Sequence, residues 1–137
     1  PRREFDVDMV TRLLFTPKGD AFLTTTAAGE IVWWPIDADK PSKRFQVRKW
    51  GPTDMLLHPD GKRLLVGVEK VQIWDIEQEK MVKELEDPLR DRAATIRRMS
   101  LCPDGRHLLA SSSDKTLIVW DLETGDVKQR LVEKTHC

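Results

Sequence analysis

Tyrosine is absent from this chain of 137 residues, cysteine occurs twice and histidine three times. Two cysteines, Cys102 and Cys137, cannot build the disulfide framework of a small secreted domain, and they stand at no metal-ligand spacing. Their scarcity fits a reducing compartment, and the expectation is a cytoplasmic protein without a bound metal or cofactor. Net charge is also missing: 23 Lys+Arg face 23 Asp+Glu, so no overall basic field recommends DNA, RNA or an anionic membrane. No run approaches the roughly 18–20 apolar residues of a membrane span. The opening Pro1-Arg2-Arg3-Glu4 leads into Phe5-Asp6-Val7-Asp8 rather than an apolar signal stretch. Glycines number 7, and Gly29, Gly51, Gly67 and Gly125 stand singly, as turns or strand kinks rather than as a phosphate-cradling loop.

What is present is self-similarity. Three stretches align, from Leu13 (LLFTPKGDAFLTTTAAGEIVWWPID), from Leu56 (LLHPDGKRLLVGVEKVQIWDIE) and from Ser100 (SLCPDGRHLLASSSDKTLIVWDLE). Their turn glycines Gly19, Gly61 and Gly105 lie 42 and 44 residues apart, and the following Trp34, Trp74 and Trp120 come 15, 13 and 15 residues later. Period-2 patterning divides each unit into four short strands. The first strands run 10–15, 53–57 and 96–101, each stopped by a proline at 17, 59 or 103. Pro59-Asp60-Gly61 and Pro103-Asp104-Gly105 then put proline where φ near −65° is wanted and glycine where positive φ is allowed, with Pro17-Lys18-Gly19 a looser version. Second strands follow at 21–25, 63–66 and 107–111, and third strands at 30–34, 71–74 and 116–120. The fourth, at 44–47, 81–85 and 127–132, is polar and alternating, as an outer edge should be. Helix competes for 77–85, where good helix formers abound, but the repeat register places a strand there in all three units.

These residues carry a resemblance. Pro-Asp-Gly, a serine-rich strand, then Asp114-Lys115-Thr116-Leu117-Ile118-Val119-Trp120-Asp121 and Glu123-Thr124-Gly125 resemble a WD-repeat blade. Val71-Gln72-Ile73-Trp74-Asp75 is similar to a shortened one, and Trp34-Pro35 stands where Trp-Asp would be in a degenerate blade. The resemblance implies an all-β fold of about three four-stranded antiparallel β-propeller blades, as an incomplete ring or a segment of a larger propeller. It divides the chain into an outer strand of a preceding or closing blade at 1–9, blades at 10–47, 48–87 and 88–133, and a tail at 134–137. In the family a histidine, a strand Ser or Thr, a turn Asp and the strand Trp form a rigidifying tetrad. Gly-His before the first strand is missing from all three units, and only Asp114 and Trp120 match. The expected blade network is therefore Asp114, Trp120, Trp74 and Trp34, with apolar packing dominant and one partial polar network in the third blade.

Three units do not close a ring of four to eight, so two apolar end faces need cover. Either further blades or a second copy of the chain would supply it. Glu4-Phe5-Asp6-Val7 aligns with the outer strand Arg44-Phe45-Gln46-Val47, and with no initiator Met at Pro1 the expectation leans towards a segment of a longer propeller.

No catalytic constellation emerges. His58, His107 and His136 read as structural or terminal positions; Ser111-Ser112-Ser113-Asp114 has no nucleophile elbow around it and reads as turn and strand chemistry; Cys102 reads as a half-buried small apolar residue. Basic residues collect with a tryptophan at Arg48-Lys49-Trp50 and again at Arg90, Arg92, Arg97 and Arg98. Nucleic acid is an unlikely partner for them, because Asp87, Asp91 and Glu84 dilute the second cluster. In the family, loops joining a fourth strand to the next first strand crowd a rim where protein and peptide partners dock. Arg48, Lys49, Trp50, Arg90 and Arg92 are the candidate contacts, with Trp50 as anchor. The expected function is a non-catalytic protein-interaction scaffold; the runner-up is a regulatory or substrate-presenting part of a larger enzyme such as a kinase.

Overall fold

The computed structural model describes residues 10–47, 54–87, 89 and 94–132. Among them lie three four-stranded antiparallel sheets, each a meander in chain order. The first holds β1 (Val10–Phe15), β2 (Ala21–Thr26), β3 (Glu30–Pro35) and β4 (Lys43–Gln46). The second holds β5 (Asp54–Leu57), β6 (Arg63–Gly67), β7 (Val71–Asp75) and β8 (Lys80–Leu85), so the helix-forming composition of 77–85 yields to sheet pairing. The third holds β9 (Ile96–Leu101), β10 (His107–Ser112), β11 (Thr116–Asp121) and β12 (Val127–Val132). The strand proposed for Glu4–Val7 lies outside the described residues.

The hairpins form where the turn chemistry asks for them. Gly19, Gly61 and Gly105 take φ of 72°, 71° and 70°, and each donates its N–H three residues back, to Thr16, His58 and Cys102. In the second and third hairpins the turn aspartate caps the loop: Asp60 accepts the N–H of Lys62 at 2.8 Å, and Asp104 that of Arg106 at 2.8 Å.

Alternation along each strand gives every sheet two faces, and the middle sheet is covered on both. Leu64, Val66 and Trp74 pack towards Leu23, Ile31 and Phe45 of the first sheet, with Phe45 stacked on Trp74 at 5.2 Å between ring centres. Leu65, Val71, Ile73 and Leu85 pack towards Ile96, Leu108, Ile118 and Trp120 of the third. β5 lies against both β1 and β9, so the first strands of the three sheets stand side by side. This is face-to-face stacking of blades about an axis lined by their first strands.

Polar bonds also cross the second interface. The buried carboxylate of Asp54 accepts the N–H of Met99 at 2.8 Å. The His58 ring bridges the turn: Nδ1 lies 3.1 Å from the Asp60 N, and Nε2 lies 2.7 Å from Gly105 O of the third blade and 3.0 Å from Arg63 Nη2. The Trp120 indole donates to Glu86 O at 3.2 Å.

Candidate functional site

The stacked sheets carry two sets of loops at opposite strand ends. One rim combines the links from fourth to next first strands with the turns between second and third strands. The two are stitched together: Val47 N–H to Gly29 O, Ile96 N–H to Val68 O and Ser113 N–H to Thr95 O. Ser112 and Ser113, read from the sequence as turn and strand chemistry, serve this stitching, since Ser113 Oγ accepts the Thr95 N–H at 2.9 Å and Ser112 Oγ donates to Thr95 O at 3.4 Å.

Of the residues expected on this rim, Arg48, Lys49, Trp50, Arg90 and Arg92 lie outside the described residues. Beside them sequence reasoning missed Leu89. Its N–H is donated to Asp87 Oδ1 at 3.0 Å and its carbonyl accepts Arg130 Nη2 at 2.7 Å, while its side chain is 75% exposed. Arg130 Nε donates at 2.6 Å to Asp87 Oδ2, whose side chain is nearly inaccessible. An exposed leucine is thus displayed on a backbone held from both sides. No periodicity announces such a residue, because it follows Pro88 in a connection. On the same rim a cleft of about 360 Å³ is lined by Ser111, Lys115, Thr116, Leu117, Leu131 and Val132 among others.

The expected blade network takes three different forms. The Trp34 indole donates to Thr24 Oγ1 at 3.1 Å within the first blade, although a polar network is expected only in the third. Trp74 donates to Gln72 Oε1 at 3.0 Å. In the third blade Asp114 accepts from Thr116 N and Oγ1, at 3.3 and 2.5 Å, whereas Trp120 reaches across to Glu86 of the second.

The opposite rim, made of the first hairpins and the links from third to fourth strands, holds most of the perturbed titrations. Burial pushes the Asp121 carboxyl up, but the Glu123 amide, the Arg106 guanidinium and the Thr124 amide outweigh it and hold it below its ordinary 3.8. Asp104 is held well below the usual carboxylate range by the Arg106 amide and the His107 ring. Asp60 is held down by the Lys62 amide and Arg63 against the effect of burial. Asp20 is held down by the Thr16 hydroxyl. His58, expected to be structural, is buried between blades. Cys102 is corrected: it is exposed rather than half-buried, because it closes the hairpin opposite His107 beyond the packed strands.

Stacked four-stranded meanders with their first strands innermost define the class: these are β-propeller blades. The family model described as "WD domain, G-beta repeat" matches residues 82–121. The chain is 28% identical over 127 residues to Protein LST8 homolog of Drosophila melanogaster, covering 87% of this chain and 38% of that protein. It is 38% identical over 60 residues to Protein RBL of Arabidopsis thaliana, covering 44% of this chain and 11% of that one. Among solved structures, "Structure of U3-55K" and "Crystal structure of RRP9 WD40 repeats" each align with a TM-score of 0.79 at 16% identity. They cover 96% of this chain and 41% and 40% of theirs, and the likeness is one of fold. The family-model match and these likenesses support a WD-repeat family for the chain. WD repeats are a protein-interaction kind of domain on a fold that is generally non-catalytic, and this chain spans well under half the length of the relatives it matches.

Proposed function

We propose that this chain is a non-catalytic scaffold of the cytoplasm that binds protein or peptide partners through the rim carrying Leu89. The observation that supports this most is the pinned, 75% exposed Leu89. Fixing the backbone before binding removes an ordering cost, so an apolar anchor shown this way gains affinity. In sequence it is followed by Arg90 and Arg92, and the preceding inter-blade link carries Arg48, Lys49 and Trp50. Basic side chains around apolar anchors suit a peptide with an apolar residue between acidic ones. The outward faces of the first and third blades are covered, in this reading, by further blades or a second copy.

The test is affinity enrichment from a cell extract with the wild-type chain, Leu89→Asp and Arg90→Ala/Arg92→Ala. The expected result is a reproducible set of bound proteins whose recovery falls more than about tenfold in both variants, as for a hot spot worth ~2 kcal/mol or more. A set untouched by the variants would overturn the assignment to this rim. Bound material that nuclease releases would favour nucleic acid instead.

A further inference from the structure

The third blade's first hairpin turns three donors from within six residues of sequence towards one point. Cys102, Asp104 and His107 each offer one ligand atom, and these atoms all lie within 4.8 Å of one another. The hairpin itself sets the geometry. Cys102 N–H donates to His107 O at 2.8 Å, so the two residues face each other across the strand ends. Between them the turn places Asp104, whose Oδ2 lies 2.8 Å from His107 Nδ1. Thiol, imidazole and carboxylate are the donor set of a zinc-class ion, with bonds of about 2.0–2.3 Å.

The neighbouring hairpin supplies an independent pointer. Its sequence, His58-Pro59-Asp60-Gly61-Lys62-Arg63, matches Cys102-Pro103-Asp104-Gly105-Arg106-His107 position for position. There the turn aspartate has a built-in cation: Arg63 Nε lies 3.0 Å from Asp60 Oδ2. In the third hairpin histidine replaces that arginine. Arg106, the one nearby guanidinium on the turn, is directed instead to Asp121 at 3.0 Å and Glu123 at 3.5 Å. The seat that Arg63 fills in the second blade is thus lined in the third by the His107 imidazole and an exposed thiol. The first hairpin, with Thr16 and Ala21 at the corresponding positions and Lys18 in place of the turn aspartate, offers neither.

We propose that Cys102, Asp104 and His107 form a binding site for one zinc-class divalent cation. The ion bonds to the Cys102 sulfur, an Asp104 oxygen and His107 Nδ1, and water takes the fourth position. On binding, the thiol proton passes to solvent, leaving thiolate as ligand. The site stands at the rim opposite Leu89, so it is independent of the partner-binding reading.

Cobalt(II) is the probe, because a cobalt–thiolate bond has its own absorption band and zinc competes for the same site. Titrating the reduced chain is expected to give one cobalt per chain with a thiolate charge-transfer band, which zinc abolishes. Cys102→Ser removes the band, and His107→Arg, which copies the second hairpin, weakens binding at least about tenfold, the lower end of what disturbing a metal site costs. His136→Ala/Cys137→Ser leaves both unchanged. Cys102 and His107 lie outside the blade-packing core, and circular dichroism confirms that each variant is folded. No thiolate band in the wild type would overturn the proposal. So would a band that survives Cys102→Ser and disappears in His136→Ala/Cys137→Ser.

Discussion

Asp121 shows how one side chain can end a strand, bind the next turn and set a pH limit. It is fully buried, it accepts the N–H groups of Glu123 and Thr124, and Arg106 closes on its other oxygen. A carboxyl whose folded value is depressed adds stability that is fully present above its ordinary 3.8 and is lost as pH falls below 3.8 through the folded value. Asp104, Asp60 and Asp20 are shifted in the same direction. Melting temperature should therefore be flat from neutral pH to about 4 and fall steeply below. Asp121→Asn should lower the plateau and make the acid fall shallower, and an unchanged acid slope in that variant would contradict this role. Single residues were unevenly legible. Asp60 and Asp104 announced themselves through Pro-Asp-Gly, a local signal that needs no tertiary contact. Cys102 and His107 did not, because their approach depends on hairpin register, and Leu89 did not, because Arg130 that holds it lies 41 residues away.

At the scale of elements the sequence was nearly sufficient, since strand, turn and outer edge recur three times with the same punctuation. The fourth strands show why repetition helped: Lys80–Leu85 has helix-forming residues, yet pairs with β7 from Leu85 opposite Val71 to Lys80 opposite Asp75. Composition alone does not see the neighbour that supplies those hydrogen bonds. Bonds between blades were equally hidden, including His58 to Gly105 and Asp54 to Met99. Gly67 tests the tightness of that interface. A Cβ built on it would lie 3.0 Å from Ile96 Cγ2 and 3.5 Å from Met99 Cε, side chains of the next blade. Gly67→Val should thus destabilise the chain by about 1–3 kcal/mol through overpacking, read as a lower denaturation midpoint. A midpoint equal to wild type would mean that the second and third blades are not packed as described.

For the whole molecule, the decisive feature is the contrast between inner and outer faces. Leu64, Leu65, Val66, Val71 and Ile73 of the middle blade's second and third strands are buried on both faces, whereas Leu13 and Phe15 of the first blade are 68% and 72% exposed on the side away from it. On the outward face of the third blade, register sets Leu109 beside Val119 and Leu117 beside Leu131, with 41–50% of each leucine exposed. Large apolar side chains grouped on a sheet face mark a surface built to be covered. The chain covers 38–41% of the LST8 relative and of the two solved WD structures, so in those proteins more than half of the length lies beyond the aligned blades. Covering by another blade-like sheet, from further blades or a second copy, is what stacking of this kind requires. The most direct test is the mass of the purified chain by light scattering across a dilution series, compared with Leu109→Asp/Leu117→Asp. The wild type should scatter as multiples of 15.8 kDa that dissociate on dilution, and the variant should shift towards the monomer. A wild-type chain that stays at 15.8 kDa at every concentration would contradict the claim that its outer blade faces are made for stacking.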